Sequence, residues 1–394
     1  MARQVAESGI KSMPTEIVVE IFTSMESARE VRSLFLASKR FYKVYVESSN
    51  HIAKALILRR LDPNDYKLAV MAIESRKVNP LDKSELKQFF NDYVHHREWD
   101  IKLFRMYTAF HLPELQDAAE HILESEYGLR IPELHDIIPE TATEHARKIR
   151  ALYLREILLN LFHQMPNRYK YTLTPFLESP PYPEWVIDFR ANFCYGELIQ
   201  VEAISNWPYR FLVALDKNHI TLPKAQHGPG CKCFSNNGIL NGQRVVHMGQ
   251  QDPYKWMKLE SFAKVVGIQK LYRWCCPTRT DIVPMRAEWS NFSYNSYPII
   301  SNPGHLRMYR EAMYRTELLN HPRFHNDPES PIDKIWNKSH GPWYATDGII
   351  WPHKDPTDKL LRIRVLSDYS SLEALRRLVH TNDPRIKSWG LRAI

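Results

Sequence analysis

Apolar residues in the first part of the chain recur with the spacing of helices. In MPTEIVVEIFTSM, residues Pro14, Ile17, Val18, Ile21, Phe22 and Met25 stand at i, i+3, i+4, i+7, i+8 and i+11, which is one stripe on a 3.6-residue helix. Pro14 suits the first helical position, where its missing N–H has no intrahelical partner, and Glu16 favours the positive end of the helix dipole. Ser27-Ala28-Arg29-Glu30 then has the capping-box pattern and opens a second helix, with Val31, Leu34 and Phe35 apolar and Leu36 on a neighbouring face. Ser38 is placed to cap a third helix that turns Phe41, Tyr45, Ile52 and Leu56 inward. Such short helices enclose too little core to stand alone. They must lean on the next helices of their own chain or lend an apolar face to a partner.

The same period continues in DYKLAVMAIESRK, SELKQFFNDYVHHREWDIKLFRMYTAF, PELQDAAEHILESEYG and TATEHARKIRALYLREILLNLFHQM. Breakers divide these stretches: Asp62-Pro63-Asn64, Asn79-Pro80, Pro113, Gly128, Pro132 and Pro139. Beyond Met165 the pattern changes. Eighteen of the 26 prolines, ten of the 13 glycines and eight of the ten tryptophans lie between Pro166 and Pro352, a texture of short strands, turns and long loops around a few helices. The clearest of those helices are KLESFAKVVGIQKLYRW and HLRMYREAMYRTELLN. After Pro356, DKLLRIRVLSDY reads as a strand or helix and SLEALRRLVH as a helix. The expected fold is therefore mostly α: a three-helix module at 12–57, a helical connecting region at 58–165, and a mixed α/β, loop-rich domain at 166–394. No fixed-period repeat suggests a propeller or solenoid.

Composition adds bounds rather than detail. A chain of 394 residues is long enough for two or three domains, and 44% apolar with 25% charged residues is ordinary for a folded protein. MARQVAESGIK lacks the apolar run of a signal peptide, and the most apolar later stretch, ALYLREILLNLF, is cut by Arg155 and Glu156. A cytoplasmic or nuclear protein without a membrane span is expected. Five cysteines, an odd number in a large chain, argue against a disulfide framework. The net charge is +8; between Asp358 and Ile394 eight Lys/Arg exceed four Asp/Glu by four, half of that total. No basic cluster resembles a dedicated nucleic-acid segment, so a solvated surface is the expectation.

Candidate chemistry is sparse. His227, Cys231 and Cys233 in HGPGCKCF, with Cys275 and Cys276, are zinc-ligand types, but a Cys-x-Cys and an adjacent Cys-Cys pair depart from the usual Cys-x2-Cys knuckles. Buried thiols behave as small hydrophobes, and that is the reading adopted for them and for Cys194. His321 and His325 in NHPRFHND read as loop residues because of Pro322, and no Glu follows either His as in a zincin motif; His95 and His96 read as surface. Neither a Gly-x-Ser-x-Gly elbow nor a phosphate-cradling glycine loop occurs. The expectation is no catalytic residue, no metal and no cofactor. SHGPWYATDGIIW, with Trp256, Trp274, Trp289 and Trp336, supplies aromatics suited to a recognition surface or simply to a loop-rich core.

The N-terminal stretch MPTEIVVEIFTSMESAREVRSLFLASKRFY resembles an F-box, the short three-helix motif with a Leu-Pro-x-Glu-Ile/Leu opening and a Ser-Lys-Arg-aromatic ending. Its landmarks here are Met13-Pro14, Glu16-Ile17, Ile21-Phe22, Met25, Val31, Leu34, Leu36 and Ser38-Lys39-Arg40-Phe41-Tyr42, with Met13 and Met25 standing where the motif usually has Leu. The inter-helix turn and the Phe-Tyr ending are most similar to filamentous-fungal F-box proteins. The resemblance spans residues 12–57 and implies a non-enzymatic adaptor that joins a Skp-type adaptor protein, on a cullin–RING scaffold, to a target for ubiquitination. It implies that Pro14, Ile17, Ile21, Val31, Leu34, Leu36 and Ser38 lie at or near the adaptor contact, and that Phe22, Phe41 and Tyr45 pack inward. The residues leave two other readings open: a basic module for nucleic acid or an acidic protein, and a metal-dependent enzyme using the Cys/His-bearing C-terminal region.

Overall fold

A computed structural model of the chain describes residues 13–62, 65–95, 98–124, 137–162, 266–275, 349–350, 369–381, 383–384 and 392–393, with single positions between 189 and 208. The described residues are mostly helical. They fall into two compact units, Met1–Asp117 and Ala118–Ile394.

The first unit opens with α1 (Thr15–Ser24), α2 (Ala28–Ala37) and α3 (Lys39–Arg60), and both α1 and α2 pack against α3. Fully buried Val18, Phe22 and Val31 meet Phe41 and Val44 in a common core. Phe22 stands edge-on to Phe41 with ring centroids 6.1 Å apart, and Phe35 stacks on Tyr45 at 4.2 Å. Edge-on and stacked pairs of this kind add to what area burial alone provides.

Next comes α4 (Tyr66–Glu74), whose run from Leu68 to Ile73 is buried on every side. At its end Glu74 is a buried carboxylate with a full set of donors: Lys77 Nζ at 3.0 and 2.9 Å, Arg105 Nη1 at 3.2 Å, and the Thr108 hydroxyl. A buried charge is tolerated when so partnered. Nearby, Trp99 packs edge-on to both Tyr66 and Tyr93 and donates its Nε1–H to the Tyr93 carbonyl at 3.2 Å. Burial and the Glu74 charge raise the Tyr93 phenol above its ordinary value.

Two expectations are corrected in this unit. The stretch SELKQFFNDYVHHREWDIKLFRMYTAF is not one helix. It comprises α5 (Lys83–Phe89), a π-type turn (Phe90–Val94), a short 3-10 turn (Ile101–Leu103) and the start of α6 (Met106–Glu124). Asp82 caps α5 and Asp100 caps the 3-10 turn, each through its own carboxylate, so local side-chain bonds restart the backbone where periodicity alone runs on. Conversely, Pro113 does not separate two helices but lies inside α6. Buried Ala109, Leu112, Leu115, Ala118, Ala119 and Ile122 on both sides of it outweigh the missing backbone bond, whose loss costs about 3 kcal/mol.

The second unit contains α7 (Ala142–Phe162), α8 (Ile268–Cys275), α9 (Tyr369–His380) and a pair of two-residue antiparallel strands, β1 (Ile349–Ile350) and β2 (Arg392–Ala393). Arg155 and Glu156, the polar interruptions in the apolar part of α7, are buried with the residues around them. Arg155 donates to the Val266 carbonyl at 2.9 Å, and Glu156 accepts from the Ile268 backbone N–H at 2.7 Å, so neighbouring side chains clamp the entry to α8. Burial lowers the Arg155 pKa to about 10, with Glu156 opposing the shift. In α9, Leu372, Leu375 and Val379 form the buried stripe that SLEALRRLVH predicts. The expected helix HLRMYREAMYRTELLN and most of the loop-rich region lie outside the described residues.

Candidate functional site

The N-terminal helices carry the residues singled out by sequence, and each is held by identifiable local chemistry. Pro14 stands one residue before α1, at the N-cap rather than at the first helical position, and its carbonyl accepts from Val18 N at 3.2 Å. Ser27 Oγ accepts from Glu30 N at 3.2 Å, as a capping box requires; the Glu30 carboxylate, however, reaches back to Glu26 N at 2.9 Å, one residue further than the pattern specifies. Ser38 Oγ accepts from Arg40 N at 3.2 Å and so caps α3. The hydroxyl assigned to a partner contact is thus already committed to the fold.

Two arginines of α3 strap α1 at its ends. Arg40 donates to the Met13 carbonyl ahead of α1. Arg59 donates to the Ser24 carbonyl at 2.9 Å and to those of Thr23 and Met25, satisfying acceptors that the last helical turn leaves without intrahelical partners.

With the helices fixed, the stripe on α1 divides. Val18 and Phe22 face the core, whereas Ile21 is half-buried and Ile17 remains 42% exposed. On α2, Leu34 is half-buried and Leu36 is 68% exposed. Val31 is the exception among the residues assigned to the contact. It is fully buried, because α2 packs on α3 through the edge that carries Ala28 and Val31, and it supports the face from within. Phe22 and Phe41 pack inward; Tyr45 is half-buried, its phenol raised above 10.0 by burial and by nearby Tyr42.

Sequence reasoning passed over Val46, which with Tyr42 places two exposed apolar side chains, at 53% and 55%, four residues apart on α3. Their i, i+4 spacing was the available signal. Phe35 links Tyr42 to the inner aromatics, since its ring lies 6.0 Å from Tyr42 and 4.2 Å from Tyr45. Chemically, these helices offer apolar surface on a frame whose caps are already satisfied, which suits recognition by burial of area.

The remaining candidates sit elsewhere. His95 is exposed, with Nδ1 3.3 Å from Asn91 Oδ1. His96, Cys194, His227, Cys231, Cys233, Cys276, His321 and His325 lie outside the described residues, as does the side chain of Cys275. Among the described residues no helix is long and apolar enough to cross a membrane. Comparison of the chain with models of protein families, with curated proteins and with solved structures finds no match.

Proposed function

We propose that the chain is a non-enzymatic adaptor whose α1–α3 module docks on a Skp-type adaptor protein and, through it, on a cullin–RING scaffold. Residues 166–394, expected as a mixed α/β domain, would hold the target protein. The observation that supports the reading is the division of apolar residues in α1 and α2. Val18, Phe22 and Val31 complete the core, yet Ile17 and Leu36 stay exposed on helices that need no further internal packing. No bond chemistry is required of this chain. Its contribution is proximity: holding a target lysine near an activated ubiquitin raises the effective concentration of the reacting pair.

Co-purification with a fungal Skp-type adaptor tests the reading, comparing the parent with Ile17→Asp and Leu36→Asp. Both sites are exposed, so the variants fold. Placing an uncompensated carboxylate in an apolar contact costs about 3 kcal/mol, or roughly a hundredfold in Kd. Folded variants that bind as tightly as the parent, or a parent that forms no one-to-one complex, would refute the assignment.

A further inference from the structure

The first turn of α7 carries a charge cluster that adaptor docking does not use. His145 Nε2 lies 2.7 Å from Glu120 Oε2 on the last turns of α6, and His145 Nδ1 lies 3.9 Å from Glu140 Oε1. Lys148 Nζ donates to that same Glu140 oxygen at 2.8 Å. The turn is itself fixed by a reciprocal capping box: Thr141 Oγ1 accepts from Glu144 N at 3.1 Å, and Glu144 Oε2 accepts from Thr141 N at 2.9 Å. The imidazole is only half-buried, so protons reach it from solvent.

We propose that Glu120, His145, Glu140 and Lys148 form a proton-operated clasp, which closes the end of α6 onto the first turn of α7 when the imidazole is charged and loosens when it is neutral. A neutral ring keeps its one proton on Nε2 for the short bond to Glu120. Nδ1 then presents a lone pair toward the Glu140 carboxylate. Protonation turns Nδ1 into a second donor and sets a positive charge between two negative ones. The charged groups acting on the ring are Glu120 from α6, Glu140 from the turn and Lys148 from α7. Two carboxylates and one ammonium sum to −1, which the imidazolium brings to zero.

The hydrogen bond that His145 donates to Glu120, with the attraction of both carboxylates, raises His145 above 6.5 against burial and the Lys148 charge. A histidine raised on folding contributes stability that is complete below its unfolded value and is lost as pH rises through its folded value. The clasp is therefore closed below pH 6.5 and opens as pH rises above it, through the raised value of the folded state.

The full-length chain supports a direct test. The ring-proton resonance of His145 should titrate above 6.5 in the parent and move down in Glu120→Gln. Exchange of amide hydrogens over residues 142–148, corrected for intrinsic rates, should be about fivefold faster at about pH 8 than at about pH 5.5 in the parent, and equal at both in His145→Gln. A His145 midpoint at or below 6.5, a midpoint unmoved by Glu120→Gln, or a pH response that survives in His145→Gln would each overturn the clasp.

Discussion

Replacing Arg59 by Met removes a guanidinium that satisfies three carbonyls at the end of α1 while keeping much of the aliphatic stem that covers it. Charge-assisted bonds are worth more than neutral ones when buried, but Arg59 is exposed and water competes for each acceptor. At roughly 0.5 kcal/mol per carbonyl, the loss is about 1.5 kcal/mol, including the favourable placement of a cation at a helix C-terminus. That corresponds to about a tenfold rise in the opening constant of α1. Hydrogen exchange measured by mass spectrometry should show the change over residues 15–25 and leave residues 142–162 as they are. Arg59→Lys should fall between parent and Met, since an ammonium keeps the charge but cannot span the acceptors as a planar fork does. Exchange of α1 within twofold of the parent, or acceleration of equal size throughout the chain, would refute the strap.

Val31→Ala should destabilise the first unit by about 2 kcal/mol, whereas Leu36→Ala should change it by less than about 0.5 kcal/mol; paired denaturant curves followed through the aromatics of that unit distinguish buried support from exposed face. Gly267→Ala would bring a Cβ to 3.1 Å from both oxygens of Glu156, which is held by its bond to Ile268 N, and should lower the thermal midpoint of the second unit by an amount equivalent to about 1–2 kcal/mol. Glu156→Ala should cost a similar or larger amount, about 1–3 kcal/mol, by leaving the Ile268 N–H buried without its acceptor. Because the Tyr93 phenol is raised on folding from 10.0, its contribution is complete below that pH and is lost above it; absorbance titration should therefore show the fold weakening from about pH 10 upward, and Tyr93→Phe should blunt the effect.

Local patterns disclosed local structure. The boundaries of α1 to α3 follow from a 3.6-residue stripe and two serine caps, and α9 from three apolar positions at helical spacing. Where a stripe was wide, periodicity did not say which edge is covered: it set Leu36 on a face neighbouring that of Val31, the resemblance assigned both to one partner contact, and only the packing of α2 on α3 separates the buried residue from the exposed one. Pro113 was misread for the opposite reason, since a backbone preference was visible and the side-chain burial that overrides it was not. Pairings distant in sequence leave no spacing to read. Arg105 reaches Glu74 across 31 positions and His145 reaches Glu120 across 25, so neither cluster had a signature before the helices were placed.

The clamp from α7 to α8 bears on synthesis as well as on the finished fold. Arg155 and Glu156 meet partners 111 and 112 positions later, so on a ribosome α7 is complete long before its acceptor and donor exist. During that interval the two charges interrupt the most apolar stretch of the helix, ALYLREILLNLF, and act as gatekeepers against premature association of nascent chains. Once residues 266–268 emerge, the same side chains change from solubilising groups to latches. Truncation before residue 266 should thus give a chain in which α7 remains soluble but unlatched, prone to capture by chaperones rather than to closing on its own.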